Sequence, residues 1–417
     1  METKRVVVTG LGAITPIGNN VKEFWEGLIN GRNGVDTITR FDHTNFKTHF
    51  AAEVKNYDPL NYFDRKDVRK HDLYSQFDIV AAIEAVESSH LTPVNTDFDE
   101  VGVVLTAGIG GVTHFFNEVM EHAKGDGVPR MGPYYIPKMI LNIPAGVISI
   151  KYGFRGPNFA TVSACASSSH AIASAFDLIR YGKATAVVAG GAEAAICEAG
   201  IGGFNAMHAL SLRNDDPATA SRPFDKNRDG FVMGEGGGCV VLEDLEHALK
   251  RGADIYAEIV GVGMSGDAYH ITAPHPEGYG ASLSMERALK DAGVDKSEID
   301  HINTHGTSTP QGDLAEIVAI KKVFGDQAYN ISLNSTKSMT GHLLGGTGAV
   351  EAIATIMALK EGIVPPTINH FEDDPQIDPK LDFTFNQARK RDLRYALSNA
   401  FGFGGQNTSL LFKKFTF

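Results

Sequence analysis

Cysteine is scarce in this chain. Cys165, Cys197 and Cys239 are the three among 417 residues, and a scattered, odd-numbered set builds neither a disulfide framework nor a CxxC metal site. A reducing compartment, the cytoplasm, is expected. Long apolar runs are also missing. The most apolar stretch, Thr185 to Met207, is broken by Glu193, Glu198 and several glycines, so no membrane span is expected. The N-terminus has no basic segment leading into an apolar one. It passes at once into Arg5-Val6-Val7-Val8-Thr9-Gly10, a strand and turn, and no signal peptide is expected. A surplus of positive charge is absent too: the formal net charge is −12, which disfavours nucleic acid as a partner. No Pro- or Ser-rich linker interrupts the chain.

What is present is a globular composition, 43% hydrophobic and 21% charged, long enough for two domain-sized units. The 45 glycines punctuate strands and helices in alternation, an α/β pattern. Strands are predicted at Val101 to Leu105, Ala184 to Ala189, Ile255 to Val260, Asp300 to Asn303 and Ile331 to Asn334. A weak internal echo runs through the chain. Ala171 to Gly182 and Glu351 to Gly362 are both small-residue-rich helices with the same ending, and superposing them sets Cys165 opposite Gly345. The echo fits two copies of one α/β unit, although Ala-rich helices ending at Gly are common.

Cys165 lies in Asn158-Phe159-Ala160-Thr161-Val162-Ser163-Ala164-Cys165-Ala166-Ser167-Ser168-Ser169-His170, a strand-like run leading into a small-residue turn. A helix opens behind it, its apolar face formed by Ile172, Ala175, Phe176 and Ile179. A thiol at a helix N-terminus meets unpaired N–H groups and the positive end of the macrodipole, so its pKa is expected to fall from about 8.5 toward roughly 7 or lower. An inert buried cysteine is the commoner fate of a lone thiol. The small residues on either side favour a reactive one.

Two histidines occupy similar settings. His305 comes after the run Ile299 to Thr304 and opens His305-Gly306-Thr307-Ser308-Thr309-Pro310, ahead of a helix predicted from about Asp313. His342 lies in Lys337-Ser338-Met339-Thr340-Gly341-His342-Leu343-Leu344-Gly345-Gly346, between a strand and a helix. Lone histidines of this kind are usually structural. Three strand-to-helix turns carrying Cys, His and His point instead to one shared site. Lys337 and Glu351 flank the last turn and are expected to pair and to orient the histidines. Gly261-Val262-Gly263-Met264-Ser265-Gly266 matches the dinucleotide fingerprint, but the next segment, Asp267 to Pro274, does not read as a helix, so no nicotinamide site is expected. His301 and His305 lack a third ligand at useful spacing, so no metal is expected.

The cysteine turn, the His305 and His342 turns and Asn399-Ala400-Phe401-Gly402-Phe403-Gly404-Gly405 together resemble the condensing enzymes of fatty-acid synthesis, more narrowly their type II 3-oxoacyl-acyl-carrier-protein synthases. The resemblance runs nearly end to end and includes Ser221-Arg222-Pro223-Phe224-Asp225-Lys226-Asn227-Arg228-Asp229-Gly230-Phe231. It implies the thiolase fold, duplicated α/β halves in a five-layer αβαβα arrangement, here with halves at 1–253 and 254–417, and a homodimer. Gln406, where the family usually has Thr, and His208, where relatives often have Arg, depart from the pattern.

The resemblance implies that Cys165 takes an acyl chain from acyl carrier protein. The N–H groups of Cys165 and Phe403 would hold the oxyanion, and His305 and His342, supported by Lys337 and Glu351, would promote decarboxylation of malonyl-carrier protein. It further implies that Thr307 and Thr309 line the pantetheine channel, that Phe403 is a gate, and that Ile109 and Phe204 lie along the acyl tunnel. No cofactor is implied. Lys66, Arg69 and Lys70, a basic cluster at helical spacing, are the expected dock for an acidic carrier protein. A thiolase would place a second cysteine in a Gly-rich C-terminal turn, a type III synthase would replace His342 with Asn, and a chain-length subunit would lack Cys165. The sister type I synthases and polyketide ketosynthases are the remaining alternatives.

Overall fold

The computed structural model describes residues 3–416. Its centre is a ten-stranded sheet. The strands are β1 (Val6–Ile14), β2 (Val101–Thr106), β3 (Asn158–Phe159), β4 (Ala186–Glu193) and β5 (Gly236–Asp244), then β6 (Ala257–Gly266), β7 (Ile299–Asn303), β8 (Ser332–Asn334), β9 (Tyr395–Gly402) and β10 (Gln406–Lys413). Their order is β8-β7-β9-β10-β6-β1-β5-β4-β2-β3. Read outward from the middle, one half runs 1-5-4-2-3 and the other 6-10-9-7-8, the same order shifted by five. Directions repeat as well. The first two pairings of each half are antiparallel and the outer two parallel. The halves meet where Val6 to Val8 pair antiparallel with Ile259 to Ala257.

Six helices complete the repeat: α1 (Leu73–Ser89), α2 (Ile143–Tyr152), α3 (Ser167–Arg180), α4 (Tyr279–Ala292), α5 (Pro310–Phe324) and α6 (Thr347–Glu361). Three apolar cores define the layers. Ile79, Ala82 and Val86 of α1 and Ile148 of α2 pack on Val101, Val103 and Val241. Met285 of α4 and Ile317 and Ile320 of α5 pack on Ile302, Leu397 and Leu411. Between these outer layers, Ile172, Phe176 and Ile179 of α3 and Val350, Ile353 and Ile356 of α6 share one core with strands of both halves, among them Val187, Leu242, Ile259 and Leu410. This is the expected αβαβα stacking. Helix α6 is buried on every side from Thr347 to Ile356, which explains its lack of a polar face.

The echo seen in the sequence is structural. Ala164–Ala166 and Leu344–Gly346 are both 3₁₀ turns that lead directly into α3 and α6. Ala164 (φ 50°) and Leu344 (φ 48°) share a left-handed backbone, which costs energy in any residue with a side chain. The dinucleotide-like glycines prove to be part of β6. A Cβ at Gly261 would approach the Ala288 carbonyl of α4 to 2.5 Å, so these glycines let a helix sit directly on the strand. Helix α5 opens at Pro310 rather than near Asp313, because the Thr309 side chain caps it by accepting from Gly312 N. Among the described residues no helix is long and apolar enough to cross a membrane.

Candidate active site

Both middle-layer helices start at the floor of one cavity of about 490 Å³, lined by Cys165, His305, His342, Phe403, Phe204, Thr307 and Thr309. The cysteine turn is braced by hydrogen bonds. Ser167 Oγ accepts from Ser163 N at 2.9 Å and donates to Ala164 O at 2.7 Å. Ser163 Oγ also meets His170 Nδ1 at 2.6 Å, and His170 Nε2 reaches Thr408 Oγ1 of β10 at 2.9 Å. The turn is thereby tied to the other half of the sheet.

Cys165 is 8% exposed. Burial pushes its thiol up to about 12, against the opposing pulls of the Lys337 ammonium and the backbone N–H groups of Phe403 and of Cys165 itself. The expected depression toward neutrality is therefore not found: loss of solvation outweighs the Lys337 charge and the two N–H groups. The two backbone donors nonetheless converge on the sulfur, where an oxyanion would form beside it. Glycine makes their approach possible. Gly402, at the end of β9, packs so closely that a Cβ would lie 2.5 Å from Ser163 O and 3.3 Å from Cys165 N.

The histidine rings stand edge to face with centroids 5.4 Å apart. Burial, and next the Lys337 charge, hold both well below the ordinary histidine pKa, so each is a neutral imidazole at neutral pH. His342 Nδ1 lies 2.9 Å from Thr347 Oγ1; a hydroxyl donating there leaves the proton on Nε2. The backbone of the other turn is fixed by Glu316 of α5, which accepts from His305 N and Gly306 N, each at 2.8 Å. Lys337 and Glu351 form the expected pair, with Nζ 2.7 and 2.8 Å from the two carboxylate oxygens, both side chains buried. They sit behind the cavity rather than on its wall.

Other candidates lie elsewhere. Ile109 is 42% exposed on this single chain and does not line the cavity. Lys66 and Arg69 are exposed on and just after the short helix Arg65–Val68, while Lys70 is half-buried and pairs with Asp67 at 2.7 Å. Sequence reasoning passes over Glu316, Thr347 and Glu193. Glu193 leaves a trace: an acid inside the most apolar stretch of the chain requires a partner for its buried charge.

Residues 3–248 match the family described as beta-ketoacyl synthase, N-terminal domain, and residues 256–371 its C-terminal domain. The chain belongs to the beta-ketoacyl synthase family. Proteins named 3-oxoacyl-[acyl-carrier-protein] synthase 2 from Synechocystis sp. (50% identical, covering 100% of this synthase and 99% of the relative) and Vibrio harveyi (49%, covering 99% of each) are similar along their whole length. Among solved structures, the synthase superposes on a beta-ketoacyl synthase from Burkholderia phymatum with a TM-score of 0.91 at 36% identity, covering 99% of this chain and 100% of that one. It superposes equally well, at 34% identity and the same coverage, on a type II polyketide ketosynthase solved with its acyl-carrier protein.

Proposed function

We propose that the synthase catalyses the decarboxylative condensation of fatty-acid elongation, joining an acyl chain held on Cys165 to malonyl-acyl carrier protein to give 3-oxoacyl-acyl carrier protein. The observation that carries this reading is the convergence on one cavity of a thiol beneath two backbone N–H donors and two neutral histidines. Full-length identity of 48–50% to synthases of this name favours it over a polyketide ketosynthase, for which similarity stands at 34–35%.

In the first half-reaction the Cys165 sulfur adds to the thioester carbonyl of acyl-carrier protein. The N–H groups of Cys165 and Phe403 hold the oxyanion. The carrier's pantetheine thiol then leaves with the proton that Cys165 gives up. In the second, malonyl-carrier protein enters past Thr307 and Thr309, and its C–C bond to the carboxylate breaks, releasing carbon dioxide. The electron pair goes into an enolate whose oxygen accepts from Nε2–H of His305 and His342, neutral donors that Lys337 and Glu351 keep in place. The enolate carbon attacks the Cys165 thioester. The C–S bond breaks, and the sulfur takes up a proton for the next cycle. Phe403 gates the site, Phe204 and Ile109 bound the acyl path, and Lys66, Arg69 and Lys70 receive the carrier. On this reading the chain divides at 253/254 into a nucleophile half and a histidine half, and works as a cytoplasmic homodimer.

The decisive experiment tracks Cys165→Ala and His305→Ala by intact-protein mass spectrometry and carbon dioxide release. The first variant takes no acyl group; the second is acylated but releases carbon dioxide about 10²–10⁴-fold more slowly. An acyl adduct on Cys165→Ala, or unchanged release from His305→Ala, refutes the assignment.

A further inference from the structure

Glu193 ends β4 with 0% exposure and, among the described residues, no cationic hydrogen-bond partner. Four backbone N–H groups stand in for one. Oε2 accepts from Gly108 at 2.8 Å, Ile109 at 3.1 Å and Gly345 at 3.1 Å, and Oε1 from Gly110 at 2.9 Å and again from Ile109 at 3.2 Å. Three of these donors belong to the turn after β2. The fourth lies in the turn between His342 and α6, in the other half of the fold. Burial pushes the Glu193 carboxyl up to about 7, against the pull of these N–H groups. Asp78 of α1, also fully buried, has among the described residues no partner for either carboxylate oxygen and is held well above the ordinary carboxylate pKa, with burial the main cause and Glu193 the second.

Packing around Gly108 is equally tight. A Cβ there would stand 2.9 Å from Glu193 Oε2, 3.1 Å from Ala164 O and 3.2 Å from Gly345 N. The turn bearing Ile109, the turn bearing Cys165 and the turn after His342 therefore touch at a single point, and the Glu193 carboxylate is the group that joins the first to the third. A carboxylate accepting from several backbone donors loses much of its hold when replaced by an amide, whose nitrogen opposes the N–H groups instead of accepting from them.

We propose that Glu193 is a positioning residue for acyl-chain selection, fixing the Gly108–Gly110 turn, and with it Ile109, against the nucleophile turn. The proposal rests on the reading that Ile109 bounds the acyl path. Where the turn is held, a long chain must displace Ile109 against a fixed backbone. Once it is released, discrimination by length weakens.

The test measures the rate of Cys165 acylation from butyryl- and palmitoyl-carrier protein by intact mass spectrometry for wild type, Glu193→Gln, Glu193→Asp and Gly108→Ala, with thermal melting in parallel. In Glu193→Gln the palmitoyl-to-butyryl ratio, taken at saturating carrier protein, is expected to rise about tenfold. Glu193→Asp, which keeps the carboxylate, should lie between it and wild type. Gly108→Ala crowds the carboxylate without removing it, and reports on the same contact if Glu193→Gln fails to fold. Lowered melting temperatures with an unchanged ratio in every folded variant would make Glu193 merely structural and overturn the proposal. Ile109→Phe separates the two readings. If it too leaves the ratio unchanged, Ile109 is not on the acyl path; if it alone shifts the ratio, the role of Glu193 is wrong.

Discussion

Replacing Gly402 by alanine should disable the first half-reaction while leaving the nucleophile in place. The added methyl would lie 2.5 Å from Ser163 O and 3.3 Å from both Cys165 N and Ala166 N. The carbonyl cannot retreat, since it already accepts from Ala166 N at 3.0 Å inside the cysteine turn. The end of β9 must lift instead by roughly 1 Å to restore ordinary contact distances, carrying the adjacent Phe403 N–H away from the sulfur. Loss of one oxyanion donor costs about 2.7–4 kcal/mol in the transition state, or about 10²–10³ in rate. The crowding itself should cost about 1–3 kcal/mol of stability. Rapid-quench acylation at saturating acyl-carrier protein, read by intact mass spectrometry, measures the first quantity, and urea unfolding the second. An acylation rate within about threefold of wild type in the folded variant would show that Phe403 N–H does not serve the oxyanion.

Because burial holds the Cys165 thiol near 12, its alkylation by iodoacetamide should climb about tenfold per pH unit from about pH 7 to about pH 9, with no plateau; saturation near neutrality would mean the thiol is already ionised. Glu351→Ala leaves the Lys337 ammonium buried and unpaired, which should lower stability by about 3–5 kcal/mol in urea unfolding, and a loss below about 1 kcal/mol would contradict the burial of that charge. Reversing Lys66 and Arg69 to Glu should raise the KM for carrier-bound substrate, more at low salt than at high. An equal fall in turnover of free acyl-CoA would exclude carrier docking.

The sequence displays the site more clearly than its electrostatics. Cys165, His305 and His342 can be placed on strand-to-helix turns because small residues and glycines bracket each one, and the five strands expected from apolar runs all form. Strand β5 is hidden, since Gly236, Gly237 and Gly238 break its apolar pattern; they are glycines because the Ile14 carbonyl, Ala192 and helix α6 in turn press on the backbone there. The start of α5 falls three residues earlier than expected because Thr309-Pro310, which resembles a turn, is a cap and first helical residue. The ionisation of Cys165 departs from expectation for a different reason. A helix N-terminus is visible in sequence, whereas the depth at which it lies is a tertiary property. Glu193 and Glu316 each serve backbone N–H groups on segments remote in sequence or across a turn, and no local pattern announces such a contact.

The matching of Cys165 with Gly345 has a consequence for stoichiometry. Both positions stand at the mouth of a middle-layer helix, and in a duplicated fold each is a place that could have kept a nucleophile. At the second one a Cβ would collide with the Gly108 nitrogen, so any side chain there is excluded while the Gly108 turn remains. The very segment that packs beside Cys165 in one repeat has closed off the matching position in the other. On the proposed reading each chain therefore carries one thioester at a time, and the second repeat is left to handle the other substrate.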